Sequence, residues 1–150
     1  MTIKEFTEKE LDDVLAFERR LRAEEPDIYG WNIDEAYIEN VRKTFRDRRF
    51  DAALSLLAYA DDQVVGRIDS ALIFSRFDGG VHAYLDWICV LPSYRHKGIA
   101  QALMRALRAA LKEKGADELV GIVAGNEEAG RFYQALEGAK ISDTGIWITL

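Results

Sequence analysis

The chain has 150 residues, with 26 Asp and Glu against 20 Lys and Arg, so its formal net charge at pH 7 is −6. This length predicts one domain over residues 1–150, and this charge argues against nucleic acid or an anionic membrane as the main partner. The one cysteine, Cys89, excludes an internal disulfide and a thiolate metal cluster, and because only His82 and His96 offer imidazole we expect no metal. No run approaches the roughly 18 apolar residues of a bilayer span, and Met1 to Lys9 lack the apolar region of a signal peptide, so we expect a cytoplasmic protein.

The first elements predicted are a short strand and a helix. Residues 2 to 6 favour the strand. Thr7 and Glu10 form a capping-box pattern, which predicts that a helix begins there, and Pro26 predicts that it has ended.

An acidic and aromatic loop from Glu24 to Trp31 precedes a second predicted helix. Either Asn32 or Asp34 can cap that helix, because both side chains accept hydrogen bonds from helix N–H groups. The basic run from Arg42 to Arg49 follows. We interpret it as the solvated end of the helix rather than a binding patch, since cations there complement the helix dipole.

Three β-rich runs occupy the middle of the chain: Ala53 to Ala60, Val64 to Ser75 and Val81 to Val90. Short connections of aspartate and glycine, at 61–62 and 78–80, separate them. Such turns predict an antiparallel meander.

The last third predicts a helix from Gly98 to Lys114, a strand from Glu118 to Ala124, a helix from Asn126 to Leu136 and a hairpin across residues 143–145. A strand, helix and strand in succession imply that the third β run and Glu118 to Ala124 are parallel neighbours. The predicted fold class is therefore α/β, with helices packed on a mixed sheet.

The connection from the third β run to the helix is the most informative part of the sequence. Its residues are Arg95, His96, Lys97, Gly98, Ile99 and Ala100, which we call the phosphate turn. A strand-to-helix turn directs unpaired backbone N–H groups and the positive end of the helix dipole at one spot, which favours an anion. Gly98 lets a ligand approach the backbone, while Arg95 and Lys97 add positive charge. The glycine patterns of a P-loop and of a dinucleotide fold are both missing here.

This turn resembles the signature of the GNAT superfamily of N-acetyltransferases, in which Arg or Gln is followed three residues later by Gly and five residues later by Gly or Ala. Here those positions are Arg95, Gly98 and Ala100. The lead-in from Leu85 to Arg95 is also similar to that family. A second motif is carried by Asn126, Ala129, Phe132 and Tyr133.

The resemblance implies an acetyl-CoA-dependent N-acetyltransferase in which the amine attacks the bound thioester directly in a ternary complex. It implies a mostly antiparallel sheet with one splayed parallel pair and about four helices, and it places the pantetheine arm between the two splayed strands. The residues expected to contact the cofactor are those of the phosphate turn, the four of the second motif, and Ile88, Cys89 and Val90, where a backbone N–H polarises the acetyl oxygen.

Tyr133 and Asp86 are the expected catalytic residues. The Tyr133 phenol can protonate the leaving thiolate, although Ala129, Phe132 and Tyr133 also fit an ordinary core stripe. Asp86 stands where many family members carry a Glu general base, and the shorter side chain favours a water relay or a purely electrostatic role. Strict alternation puts Asp86, Ile88 and Val90 on one strand face, and Leu85, Trp87 and Cys89 on the other.

The sequence leaves several alternatives open. Tyr29, Trp31 and Trp87 are candidates for an aromatic wall at the acceptor site, and Asp69 and Tyr84 are weaker ones. The acceptor is expected to be a small cationic amine, with a peptide or protein amine as the alternative. A non-catalytic CoA-binding module would carry the same motifs and is the alternative to an enzyme. The sequence does not determine the oligomeric state, and a homodimer is one of the possible states.

Overall fold

The computed structural model describes residues 1–142, 145 and 148–149. Its strands are β1 (Thr2–Glu5), β2 (Ala53–Ala60), β3 (Gln63–Phe74), β4 (Val81–Val90) and β5 (Glu118–Gly121). Its helices are α1 (Leu11–Glu24), α2 (Glu35–Thr44), α3 (Ile99–Glu113) and α4 (Glu127–Gln134). The predicted hairpin across residues 143–145 depends on Asp143 and Thr144, which lie outside the described residues.

The strands form one sheet in the order β1-β2-β3-β4-β5, in which β4 and β5 are parallel and the other neighbours antiparallel. The predicted meander is confirmed. Asp61 and Asp62 connect β2 to β3 with φ values of 52° and 59°. Two successive positive φ values characterise the two-residue turn whose twist matches that of the paired strands.

Helices cover both faces of the sheet. A Cβ at Gly66 would lie 3.1 Å from Ile99 and from Leu103 of α3, whereas the next residue, Arg67, binds Glu18 of α1. Because neighbouring strand residues point to opposite faces, α1 and α3 pack on opposite sides of β3.

The parallel strands diverge after a short pairing. The ladder runs from His82 opposite Glu118 to Leu85 opposite Gly121, and β4 then continues to Val90 without β5 beside it. The splayed pair implied by the resemblance is thus confirmed. The predicted strand to Ala124 is too long, because residues beyond Gly121 have left the edge of β4 that could pair with them.

Local capping signals placed the helix starts well. The Thr7 and Glu10 capping box forms, although it opens a single 3-10 turn, Glu8–Glu10, that leads into α1. Asp34 caps α2 by accepting from the Tyr37 N–H at 2.9 Å.

In the basic run at the end of α2 and beyond it, Arg46 binds Glu8 and Arg49 binds Asp47, each at 2.5 Å. Local carboxylates therefore neutralise part of this run, as expected for a solvated helix end.

Candidate active site

The phosphate turn presents a row of backbone donors at the start of α3. Gly98 is the N-cap residue in the left-handed conformation, with φ 77° and ψ 9°, and His96 has φ 59°. The first bond of the helix runs from the Ala102 N–H to the Gly98 carbonyl at 3.0 Å. Among the residues that the structure describes, none accepts from the backbone N–H groups of residues 96–101. The turn therefore fits a diphosphate, since its donors and the helix dipole act on one region.

Glycine at position 98 is required by backbone conformation. A Cβ there would meet open space, with nothing within 4 Å, so Gly98→Ala creates strain and no collision. We expect this variant to lower the free energy of unfolding by about 1 kcal/mol in urea denaturation. Gly130→Ala is the matched control, because Gly130 lies within α4 at an ordinary φ. It is expected to raise stability by roughly 0.5 kcal/mol. A loss in both variants, or in neither, would contradict the explanation.

The side chain of Arg95 does not extend from the turn into solvent. Its guanidinium forms a two-bond contact with Glu25, at 2.8 Å and 2.6 Å, and its Nε donates to the Val90 carbonyl at 3.2 Å. Glu128, at the start of α4, lies 3.7 Å from Nη1. Arg95 thus contacts the loop after α1, the end of β4 and the start of α4.

Lys97 and His96 lie on the exposed side of the turn. The Lys97 ammonium donates to the Ser93 carbonyl at 3.1 Å and lies 4.7 Å from the centre of the Tyr94 ring. The Arg20 guanidinium lies 5.3 Å from the centre of the same ring. Two cationic side chains therefore lie against the Tyr94 ring, next to the free backbone N–H groups of the turn.

Asp86 occupies an irregularity in β4. Trp87 is opposite Asp69 and Leu85 is opposite Ser70, so Asp86 is the extra residue between two paired positions, and it is exposed. Strict alternation was therefore the wrong description of this strand. Because directly opposite residues share a face, Leu85 lies on the α3 side with Ile88, while Trp87 and Cys89 lie on the α1 side.

The second motif lies on α4, whose first turn approaches Arg95 through Glu128. Asn126 is its N-cap, and its side chain accepts from the Ala129 N–H at 2.9 Å. The rings of Phe132 and Tyr133 meet edge to face at 5.1 Å and pack against the core. Burial raises the pKa of the Tyr133 phenol, which therefore keeps its proton at neutral pH.

The aromatic residues singled out from the sequence come together on the α1 side of β4. Tyr29, Trp31 and Trp87 contact one another edge to face, with ring centres 5.6 to 6.3 Å apart. The Tyr29 hydroxyl is 3.3 Å from the Cys89 sulfur. Burial raises the pKa of the Cys89 thiol, so the sulfur is protonated and poorly suited to act as a nucleophile.

Below these rings lies a buried charged cluster that the sequence analysis missed, formed by Glu18, Arg67 and Asp69. Arg67 binds Glu18 at 2.9 Å and Asp69 at 2.7 Å, and Glu18 is only 1% exposed. Tyr37 donates to Glu18 at 2.9 Å and Ser55 donates to Asp69 at 2.5 Å. Asp69 is therefore buried and paired rather than open at an acceptor site. The signal was present in the sequence, because two charges two residues apart in the apolar run of β3 fall on one strand face.

The family model described as the acetyltransferase (GNAT) family matches residues 14–138, which include the phosphate turn, β4 and the second motif. The chain belongs to the GNAT family of acetyltransferases. Its expected identity as an acetyltransferase is thereby confirmed, and acetyl-CoA is the co-substrate that this GNAT chain uses.

Similar proteins include several aminoglycoside acetyltransferases. The GNAT chain is 30% identical over 108 residues to an aminoglycoside N(6')-acetyltransferase type 1 of Acinetobacter genomosp. 13, a match covering 69% of the chain and 72% of that protein. The aminoglycoside acetyltransferase meta-AAC0020, from an uncultured soil metagenomic sample and in complex with sisomicin, superposes with a TM-score of 0.83. It is 18% identical, with 99% of this chain and 95% of that chain covered.

A third similar structure is AAC(6')-Iy in complex with the bisubstrate analog CoA-S-monomethyl-acetylneamine, with a TM-score of 0.76 and 21% identity over 99% of this chain and 97% of that one. In the described part of the GNAT chain, no helix is long and apolar enough to span a membrane. Its described His, Cys, Asp and Glu residues form no group of three or more that could hold a metal.

Proposed function

We propose that this GNAT enzyme acetylates a small cationic amine of the aminoglycoside class by direct attack of the amine on acetyl-CoA in a ternary complex. One observation carries the proposal: the aromatic cluster of Tyr29, Trp31 and Trp87 lies on the α1 side of β4, beside exposed Asp86 and the open edge of the strand. Aromatic faces with a nearby carboxylate suit a polycationic ligand. The names of the similar proteins agree with that chemistry.

The residues of the turn would hold the co-substrate. The free N–H groups of residues 96–101 would bind the diphosphate, with Lys97 adding positive charge at its edge and the His96 side chain beside it. Ile88, Cys89 and Val90 line the part of β4 that β5 has left, where a backbone N–H can polarise the acetyl oxygen. Asn126, Ala129 and Phe132, at the N-cap and within α4, would complete the contacts to the co-substrate.

We assign the catalytic roles to Asp86 and Tyr133. The bound thioester supplies an activated acetyl group. Asp86, exposed at the irregularity in β4, would accept the ammonium proton of the acceptor, directly or through water. Tyr133, whose raised pKa keeps it protonated, would donate a proton to the departing thiolate. Direct attack needs no covalent enzyme intermediate, and the buried, protonated Cys89 thiol is poorly suited to form one.

A thiol-release assay with three acceptors tests the function. The acceptors are sisomicin, a linear polyamine and a peptide with a free N-terminus, each mixed with acetyl-CoA and the full chain. Release of CoA that depends on sisomicin is the expected result. Release with the peptide alone would assign the enzyme to peptide amines. Calorimetric binding of acetyl-CoA without release for any acceptor would indicate a non-catalytic CoA-binding module.

A further inference from the structure

The ion pair between Arg95 and Glu25 connects the phosphate turn to the α1–α2 loop, residues 25–34. Both side chains are largely buried, at 23% and 18% exposure. Both terminal nitrogens of the guanidinium donate to the carboxylate, and Nε donates to the Val90 carbonyl. A two-bond contact of this kind fixes direction as well as distance. In this arrangement three of the five guanidinium N–H groups are donated to Glu25 and Val90.

Glu25 is also the residue from which the α1–α2 loop starts. It is the C-cap of α1, and its N–H donates to the Leu21 carbonyl at 2.9 Å. Its own carbonyl accepts from the N–H groups of Ile28 and Tyr29, at 3.2 Å each. The backbone of Glu25 thus forms the turn that leads to Tyr29, while its carboxylate fixes that turn to Arg95.

Tyr29 carries the connection to the aromatic cluster. Its ring contacts Trp31 and Trp87, and its hydroxyl lies 3.3 Å from the Cys89 sulfur. Neighbouring Glu24 supports the same attachment, because its carboxylate accepts from the N–H and the hydroxyl of Ser93, at 3.1 Å and 3.2 Å. Contacts therefore run without a break from the phosphate turn, through Glu25 and Tyr29, to the face of β4 where the acceptor would bind.

We propose that Arg95 is a positioning residue for the acceptor, which acts through Glu25 to hold the α1–α2 loop and its aromatic rings in place, and that it is not a phosphate ligand. This inference rests on the proposed acetylation of a cationic amine for its kinetic consequences. Loosening the pair weakens acceptor binding, whereas CoA binding, which uses backbone N–H groups, stays the same.

Glu25→Gln is the decisive variant, because it keeps the shape of the side chain and removes its charge. We expect the KM for sisomicin to rise about tenfold, since a charge-assisted contact is lost, while kcat and the calorimetric Kd for CoA stay within about twofold. Arg95→Gln should give the same pattern. The double variant should be no worse than either single one, because both changes break one contact. Glu128→Gln is the control, since it removes a more exposed carboxylate near Arg95 but leaves the loop attached.

A second readout does not require turnover. Acrylamide should quench tryptophan fluorescence more strongly in Glu25→Gln and Arg95→Gln than in the wild type or Glu128→Gln, because release of the loop exposes Trp31. An inactive wild type would refute the proposed function and leave this readout to decide the inference. Unchanged quenching in Glu25→Gln would overturn the positioning role proposed for Arg95. An Arg95→Gln variant with CoA binding weakened more than about tenfold and an unchanged KM for sisomicin would assign Arg95 to the phosphates instead.

Discussion

Replacing Arg67 with methionine is expected to lower the free energy of unfolding by about 3 to 5 kcal/mol at pH 8. Arg67 is the cation between two buried carboxylates, Glu18 and Asp69, with contacts of 2.9 Å and 2.7 Å. Methionine keeps the apolar stem against the Phe6 and Trp87 rings, over which the guanidinium lies at 5.0 Å and 5.7 Å. The decrease in the free energy of unfolding therefore measures the cost of leaving two buried carboxylates without their cation.

The deficit of Arg67→Met should depend on pH. Burial already raises the pKa of Glu18, and the charge of Arg67 acts against that rise. Without Arg67 the pKa rises further above its unfolded value, so protonation at low pH relieves the buried charge. The stability gained by protonation is lost as the pH rises through the folded-state pKa. Urea denaturation should show a smaller deficit at pH 5 than at pH 8.

Arg42→Met is the matched control for the charged cluster. Arg42 pairs with Glu39 at 3.2 Å, but both side chains are exposed, at 39% and 50%. The change should therefore alter the free energy of unfolding by less than about 0.5 kcal/mol. Equal losses in the two variants, or a deficit of Arg67→Met that is the same at both pH values, would contradict the role given to the buried cluster.

Replacing Tyr133 with phenylalanine is expected to lower kcat by about a hundredfold or more, because a positioned proton donor to the leaving thiolate is lost. The ring that packs beside Phe132 remains, so the Kd for CoA should stay within about twofold. Steady-state kinetics with sisomicin and calorimetry with CoA measure the two quantities separately.

Tyr59→Phe controls for the loss of a buried tyrosine hydroxyl. Tyr59 donates to Asp13 of α1 at 2.8 Å, and neither residue belongs to the proposed site. We expect kcat to stay within about twofold, with a stability loss of roughly 1 kcal/mol. An unchanged kcat in Tyr133→Phe would remove Tyr133 as the acid and leave it as a packing residue of α4.

Much of the fold was predictable because its signals are local. The capping pair Thr7 and Glu10, the N-cap at Asp34 and the glycine at 98 each depend on bonds or dihedral angles within three residues. Three strands in succession with short turns between them predict an antiparallel meander, because a short turn can join only antiparallel neighbours. The turn before α3 was recognisable for the same reason, since its donors belong to consecutive backbone units.

The partners of the charged side chains were not predictable in this way. Arg95 was expected at the phosphates, and nothing in its local sequence indicates its contact with Glu25, which is 70 positions away in the chain. Arg67 reaches Glu18 across 49 positions. A side chain with several N–H donors can bind any carboxylate that the fold brings near it. The sequence does not indicate which of the many carboxylates that will be.

What the sequence by itself determined is thus the order of the elements and the anion-binding turn, because periodicity, capping and glycine conformation act over a few residues. Only the tertiary structure decided that Asp86 is an extra residue in β4, that Leu85 and Trp87 face opposite sides, and that Arg95 holds the α1–α2 loop. Those features depend on strand register and on contacts between distant segments, which exist only once the sheet has formed and the helices have packed on it.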